Sequence, residues 1–108
     1  MTAETRRRAV KAARGETPFD LLLTHTRVVD MATGEIRDVD VGIVGSLIAS
    51  VHPRGSRNDA HETHDLNNQF LSPGLMDTHV HLESSHLLPA RYAEIVLAQG
   101  TTAVFWDP

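Results

Sequence analysis

The 108-residue sequence contains no cysteine. That excludes a disulfide framework and every thiolate metal site, including any Cys-x-x-Cys half-site, so a metal here would have to be held by imidazole or carboxylate. Long hydrophobic runs are also missing. The longest, such as Leu21-Leu22-Leu23, are a few residues long, far short of the roughly 20 needed to cross a bilayer. The reading is a soluble chain with no membrane segment. Basic residues are scarce outside the first fourteen positions: Arg6, Arg7, Arg8, Lys11 and Arg14 are half of the ten, and from Gly15 onward five basic residues face thirteen acidic ones, for a net charge of -4. No apolar segment follows Arg6-Arg7-Arg8, so a secretory or twin-arginine signal is excluded. The basic head is read as a solvated helix face rather than a nucleic-acid arm.

That helix is predicted over Ala3 to Arg14, with Ala9, Val10, Ala12 and Ala13 as a weak apolar stripe and Gly15 ending it. After Gly15-Glu16-Thr17-Pro18, the segments Phe19 to Asp30 and Asp38 to Val51 are rich in Val, Ile and Leu. Thr33-Gly34 and Gly45-Ser46 supply reversals, which predicts an antiparallel meander. Pro53 to Asp65 is polar and reads as a loop with at most one short strand near Glu62 to Leu66. His52, His61 and His64 are accordingly expected in solvent, and His25 in the first strand is expected to be structural.

From Phe70 the pattern changes to Phe70-Leu71, the turn Ser72-Pro73-Gly74, and then Leu75 to Leu82. Side chains alternate along a strand, so Asp77, His79 and His81 point to one face and Val80 to the other. Two imidazoles on one face can share one divalent metal, and Asp77 is placed as an acceptor that would orient a ring nitrogen. Glu83, Ser84 and Ser85 follow at the strand end, where the serines are expected to cap the next helix or touch a ligand. Pro89 to Gln99 is a proline-led helix closed by Gly100, with Ala93, Val96 and Leu97 spaced for one buried face. Thr101 to Trp106 is a β-branched and aromatic run ending in Asp107-Pro108. Strand, helix, strand is one βαβ unit. A parallel arrangement brings His79, His81 and Glu83 near Asp107 at the carboxyl edge, where α/β enzymes place their sites.

The string Pro73-Gly74-Leu75-Met76-Asp77-Thr78-His79-Val80-His81 resembles the first barrel strand of the amidohydrolase superfamily. Its extension through Leu82-Glu83-Ser84-Ser85, Pro89-Ala90-Arg91-Tyr92 and Gly100 to Pro108 is similar to the adenine deaminase branch. The likeness runs from about Phe19 to the end, with departures at His86, where an apolar residue is usual, and at Asn67-Asn68-Gln69. The resemblance implies an α/β fold: a basic helix over residues 1–15, part of a small composite β domain over 16–70, and the first βαβ unit of a (β/α)8 TIM-type barrel over 71–108. Such a barrel takes about 250 residues, so the segment is expected to be the N-terminal part of a longer enzyme and inactive alone.

In that family His79 and His81 would be ligands of one metal in a binuclear centre, with manganese or ferrous iron favoured and zinc an alternative. Glu83 would be a catalytic proton-network or substrate group, Ser84 and Ser85 substrate contacts, and Asp77 and Asp107 the site edge. The implied reaction is hydrolytic deamination of adenine to hypoxanthine and ammonia by a cytoplasmic homodimer acting on a small purine, without nucleic acid. Two other readings stay open: an amidohydrolase opening a cyclic amide or urea, against which Glu83-Ser84-Ser85 argues, and a non-catalytic binding module.

Overall fold

The computed structural model describes residues 2–107 and divides into two compact units, one running through Ser72 and one from Pro73 on. The first begins with helix α1 (Ala3–Ala13). Thr2 caps it, its hydroxyl accepting the Thr5 backbone N–H at 3.2 Å and so satisfying one of the free donors of the first turn. Gly15 takes φ +79°. With that left-handed residue in place, Gly15 N–H reaches the Ala12 carbonyl at 3.0 Å and Glu16 N–H the Lys11 carbonyl at 2.9 Å, the paired closure expected where glycine follows a helix.

Five strands make the sheet: β1 (Phe19–Val29), β2 (Ile36–Val44), β3 (Leu47–Pro53), β4 (Ala60–Asp65) and β5 (Phe70–Leu71). The order is β3-β2-β1-β4, with β5 also on β1. The first three form the antiparallel meander that the two reversals predict, and β1 pairs in parallel with β4 and then with β5. The break between the two parallel partners falls at His25, which stands at φ +51° where the β1–β2 register shifts. Opposite it, Asn67 and Asn68 take φ +49° and +63°, a conformation asparagine tolerates better than most residues. Asn68 N–H then donates to the His25 carbonyl at 2.9 Å. Strand β4 is the one short strand expected near Glu62 to Leu66, beginning two residues earlier at Ala60 although His61-Glu62-Thr63-His64 carries no apolar alternation. Its exposed side chains need none, since backbone pairing to β1 holds it at the sheet edge.

The core joins Ala9 and Ala12 of α1 to Phe19, Leu22 and Val44 of the sheet. Val10 and Ala13, expected in the apolar stripe, are instead exposed. Phe19 is completely buried; a Cβ on Gly42 would come within 2.5 Å of its ring, so only glycine fits beneath it. His52 stacks on Phe19 with ring centroids 5.7 Å apart, and the Arg57 guanidinium lies 4.1 Å from the phenyl centroid. Asp40 is buried too, its carboxylate accepting from His25 N–H at 2.9 Å and Gly55 N–H at 2.8 Å.

His52 therefore overturns the expectation of a solvated loop histidine. It lies on β3, only 9% exposed, with Nδ1 2.9 Å from the Ser50 hydroxyl and Nε2 without a partner. His61 and His64 are exposed as expected, and His25 pairs with Asp65 at 3.0 Å. Burial pushes the His52 imidazole below its ordinary pKa; Asp40 and Asp59 oppose the shift and Arg57 adds to it. The fold thus favours the neutral ring, and its contribution is complete above the unfolded value of about 6.5. As pH falls through the lowered folded value that contribution is lost, because the unfolded chain takes up the proton more readily. Urea unfolding should show stability falling on acidification from neutral pH. His52→Phe should flatten that slope, and an unchanged slope would remove the histidine as its cause.

The second unit contains β6 (Leu75–Val80), a 3₁₀ turn (Leu82–Ser85), helix α2 (Pro89–Ala98) and β7 (Thr101–Trp106). Strands β6 and β7 are parallel, so this is the predicted strand–helix–strand unit. Gly74 allows the turn before β6 to pass against β7, since a Cβ there would meet the Thr102 side chain at 2.2 Å. The face expected to be buried on α2 is not: Ala93 and Leu97 are exposed, Val96 is half-buried, and no residue of the helix is fully buried. Within this unit the helix leans mainly on β7 and the 3₁₀ turn, too little surface to cover an apolar stripe. Among the described residues no helix is long and apolar enough to cross a membrane.

Candidate metal centre

The carboxyl ends of β6 and β7 position the site. Parallel pairing continues past the strands, with the Asp107 N–H donating to the Val80 carbonyl at 3.2 Å, and this brings Asp107 beside the two histidines that flank Val80. One ligand atom each from His79, His81 and Asp107 lie within 4.8 Å of one another. The two Nε2 atoms are 3.1 Å apart and the rings stand nearly perpendicular, at 85°.

This geometry suits a metal. The two nitrogens are close enough to serve one ion at the ordinary metal–imidazole length of about 2.0–2.1 Å. The donor set is two imidazoles and a carboxylate, which suits iron, manganese or zinc and does not choose among them. All three groups are exposed at the strand ends.

Glu83 begins the approach from behind. Its Oε1 is 3.3 Å from His81 Nδ1, the ring nitrogen opposite the one that faces His79. A carboxylate on that nitrogen keeps its proton there and leaves Nε2 with a free lone pair. The other oxygen, Oε2, accepts the Trp106 indole N–H at 3.3 Å. The Glu83 carboxyl is held below the usual carboxylate range, chiefly by its own backbone amide; desolvation opposes this, and Trp106 and His81 add smaller lowering effects.

Two site expectations need correcting. Asp77 does not orient a ring: its Oδ1 accepts the His79 backbone N–H at 3.1 Å, the short local bond that aspartate makes two residues along. Nor do the serines cap α2, whose N-cap is Leu88 with no side-chain bond. Ser85 closes the preceding turn instead, donating to the Leu82 carbonyl at 2.6 Å and accepting the Leu87 N–H at 3.2 Å. Ser84 donates its backbone N–H to the His81 carbonyl at 3.0 Å. His86, the departure noted in the sequence, takes φ +57° at the end of the 3₁₀ turn. Trp106 was missed as a site residue. The available signal was its place one residue before Asp107, where strand alternation sends the two side chains to opposite faces.

No protein-family model matches the chain. It is 77% identical over 106 residues to an adenine deaminase of Klebsiella pneumoniae (strain 342), covering 98% of this chain and 18% of that protein. It is 70% identical over 103 residues to an adenine deaminase of Serratia proteamaculans (strain 568), covering 95% and 17%. The chain thus spans less than a fifth of the length of the curated relatives it matches. Among solved structures it is similar to D-aminoacylase, described as defining a subset of amidohydrolases, with TM-score 0.70 and 32% identity over 83% of this chain and 19% of that one. An L-hydantoinase from Arthrobacter aurescens shares the fold, with TM-score 0.67 and 22% identity over 83% and 21%.

Proposed function

We infer that this chain, a stretch of amino-terminal adenine deaminase sequence with the mixed α/β fold of amidohydrolases, forms one wall of the metal centre of an enzyme that hydrolyses adenine to hypoxanthine and ammonia. The observation that carries the reading is the convergence of His79, His81 and Asp107 at the ends of two parallel strands. Identity of 77% to an adenine deaminase selects the substrate.

His79 and His81 would hold a divalent ion through Nε2, with Asp107 at its edge. The centre is read as binuclear, by analogy with D-aminoacylase, for which a binuclear metal centre is described, and manganese or ferrous iron is favoured over zinc. When bound, such an ion supplies Lewis-acid activation of water, lowering its pKa toward neutrality so that a nucleophile forms. This chain's residues do the rest of the local work. Glu83 keeps the His81 proton on Nδ1 and stands ready to pass protons at the site edge. Ser84 and Ser85 border the purine pocket, the Ser85 hydroxyl being engaged in its own turn. Asp77 stiffens the strand end through the His79 amide. The segment over residues 16–70 is assigned to a composite β domain, residues 1–15 to a basic helix on it, and residues 71–108 to the start of a (β/α)8 barrel. The whole enzyme is placed in the cytoplasm as a homodimer.

The test is ammonia release from adenine by the complete enzyme carrying this segment, loaded with manganese, beside ring opening of a hydantoin or dihydroorotate. Adenine should be turned over and the cyclic amides should not. The 108-residue chain alone should give no turnover, since two imidazoles and one carboxylate leave an ion under-coordinated. Ring opening without ammonia release would overturn the assignment, and turnover by the short chain would overturn the expectation that it is inactive alone.

A further inference from the structure

Glu83 is the least constrained member of the site by its own backbone, because it sits on a short 3₁₀ turn with more than half of its side chain exposed. A long carboxylate side chain in that position has many rotamers to choose from. The one in the structure places Oε1 3.3 Å from His81 Nδ1. The second oxygen meets the Trp106 indole N–H, a donor with no acceptor capacity, so it can bind carboxylate but never replace it. The Trp106 backbone is held in place, since it stands in register with Val80 at the end of the β6–β7 ladder, and the next residue, Asp107, closes that ladder on the Val80 carbonyl. One strand end therefore serves both sides of the site: Asp107 reaches the histidines from the front, and Trp106 reaches the carboxylate behind them.

We propose that Trp106 is a positioning residue for the metal centre: its indole N–H pins Glu83, and the pinned carboxylate holds His81 with Nε2 turned to the cation it shares with His79. The inference rests on the metal-centre reading above and deepens it. Trp106 touches neither cation nor purine in this scheme; it acts through Glu83 alone. A tryptophan kept merely to fill space would do as well without its nitrogen.

The experiment uses the complete manganese-loaded enzyme and measures Mn²⁺ affinity by chelator competition for the wild type, Trp106→Phe, Glu83→Gln and the double variant. Loss of a partner that orients a ligand typically costs 10–100-fold in metal affinity, so Glu83→Gln should fall in that range and Trp106→Phe, one bond further out, should cost about 3–10-fold. In the Glu83→Gln background the Phe substitution should cost less than about twofold, because the amide keeps one accepting oxygen and can no longer bridge Trp106 and His81 together. A space-filling role predicts the same loss in both backgrounds, and that result, or no loss in either, overturns the proposal. Should the Phe variant not fold, Trp106→Gln keeps a donor without the ring. It should hold Mn²⁺ within about threefold of wild type, whereas a loss as large as that of Glu83→Gln would count against the hydrogen bond. Adenine turnover, followed in parallel, separates the two readings. Wild-type deamination without coupling between Trp106 and Glu83 defeats this inference alone, and coupling without deamination defeats the substrate assignment alone.

Discussion

Replacing His79 or His81 by alanine in the complete enzyme should empty or weaken one metal position and cut adenine deamination by more than about two orders of magnitude. Removing only an outer partner of a ligand already costs 10–100-fold, and a ligand itself sits one bond closer to the ion. Both rings are exposed, and their nearest polar neighbours are each other and the carboxylates of Asp107 and Glu83. In the 108-residue chain without metal their loss should therefore leave folding nearly untouched, within about 0.5 kcal/mol, as for other surface substitutions. Metal content by elemental analysis, read beside the thermal midpoint, decides the matter: a variant that folds normally and lacks metal supports the ligand assignment. Wild-type metal content in both variants would remove it.

Phe19→Ala should destabilise the first unit by about 3–5 kcal/mol, the usual cost of deleting a buried aromatic side chain. Phe19 is 0% exposed and fills the space above Gly42, between the His52 ring and the Arg57 guanidinium. Truncation leaves a void that α1 cannot close, because its contribution to that core is two alanines already in contact. Small domains are stable by about 5–15 kcal/mol, so the variant should unfold at much lower urea and sit near the edge of stability at 37 °C. Val10→Ala, on the exposed side of α1, should move the midpoint by about 0.5 kcal/mol or less. Equal effects of the two substitutions would show that the core is not where the structure puts it.

The histidine pair was legible from residue order because a strand alternates with period two, and that rule needs no tertiary partner. The same holds for both reversals of the meander, the end of α1 at Gly15, and the proline-led start of α2, all of which depend on backbone preferences of single residues. Elements governed by their surroundings were not legible. Strand β4 was expected only as one short strand near Glu62 to Leu66, and it is the pairing to the open edge of β1 that extends it back to Ala60. His52 reads like its neighbours His61 and His64, yet it is buried, because β3 continues to Pro53 and carries it onto Phe19. The apolar spacing on α2 is real, but a stripe is buried only as far as other surfaces cover it.

At the site the same division holds. Sequence alone determined which residues could ligate a cation and that they emerge at a strand end, since both follow from side-chain chemistry and local alternation. That Asp107 joins them followed from reading strand, helix and strand as a parallel unit; only the tertiary structure decided that Asp77 spends its carboxylate on a backbone amide, and that Glu83 faces the far nitrogen of His81 with Trp106 behind it. Those contacts cross from β6 to β7 or depend on one rotamer among several, and neither the register of two strands nor the choice of a rotamer is encoded by spacing along the chain.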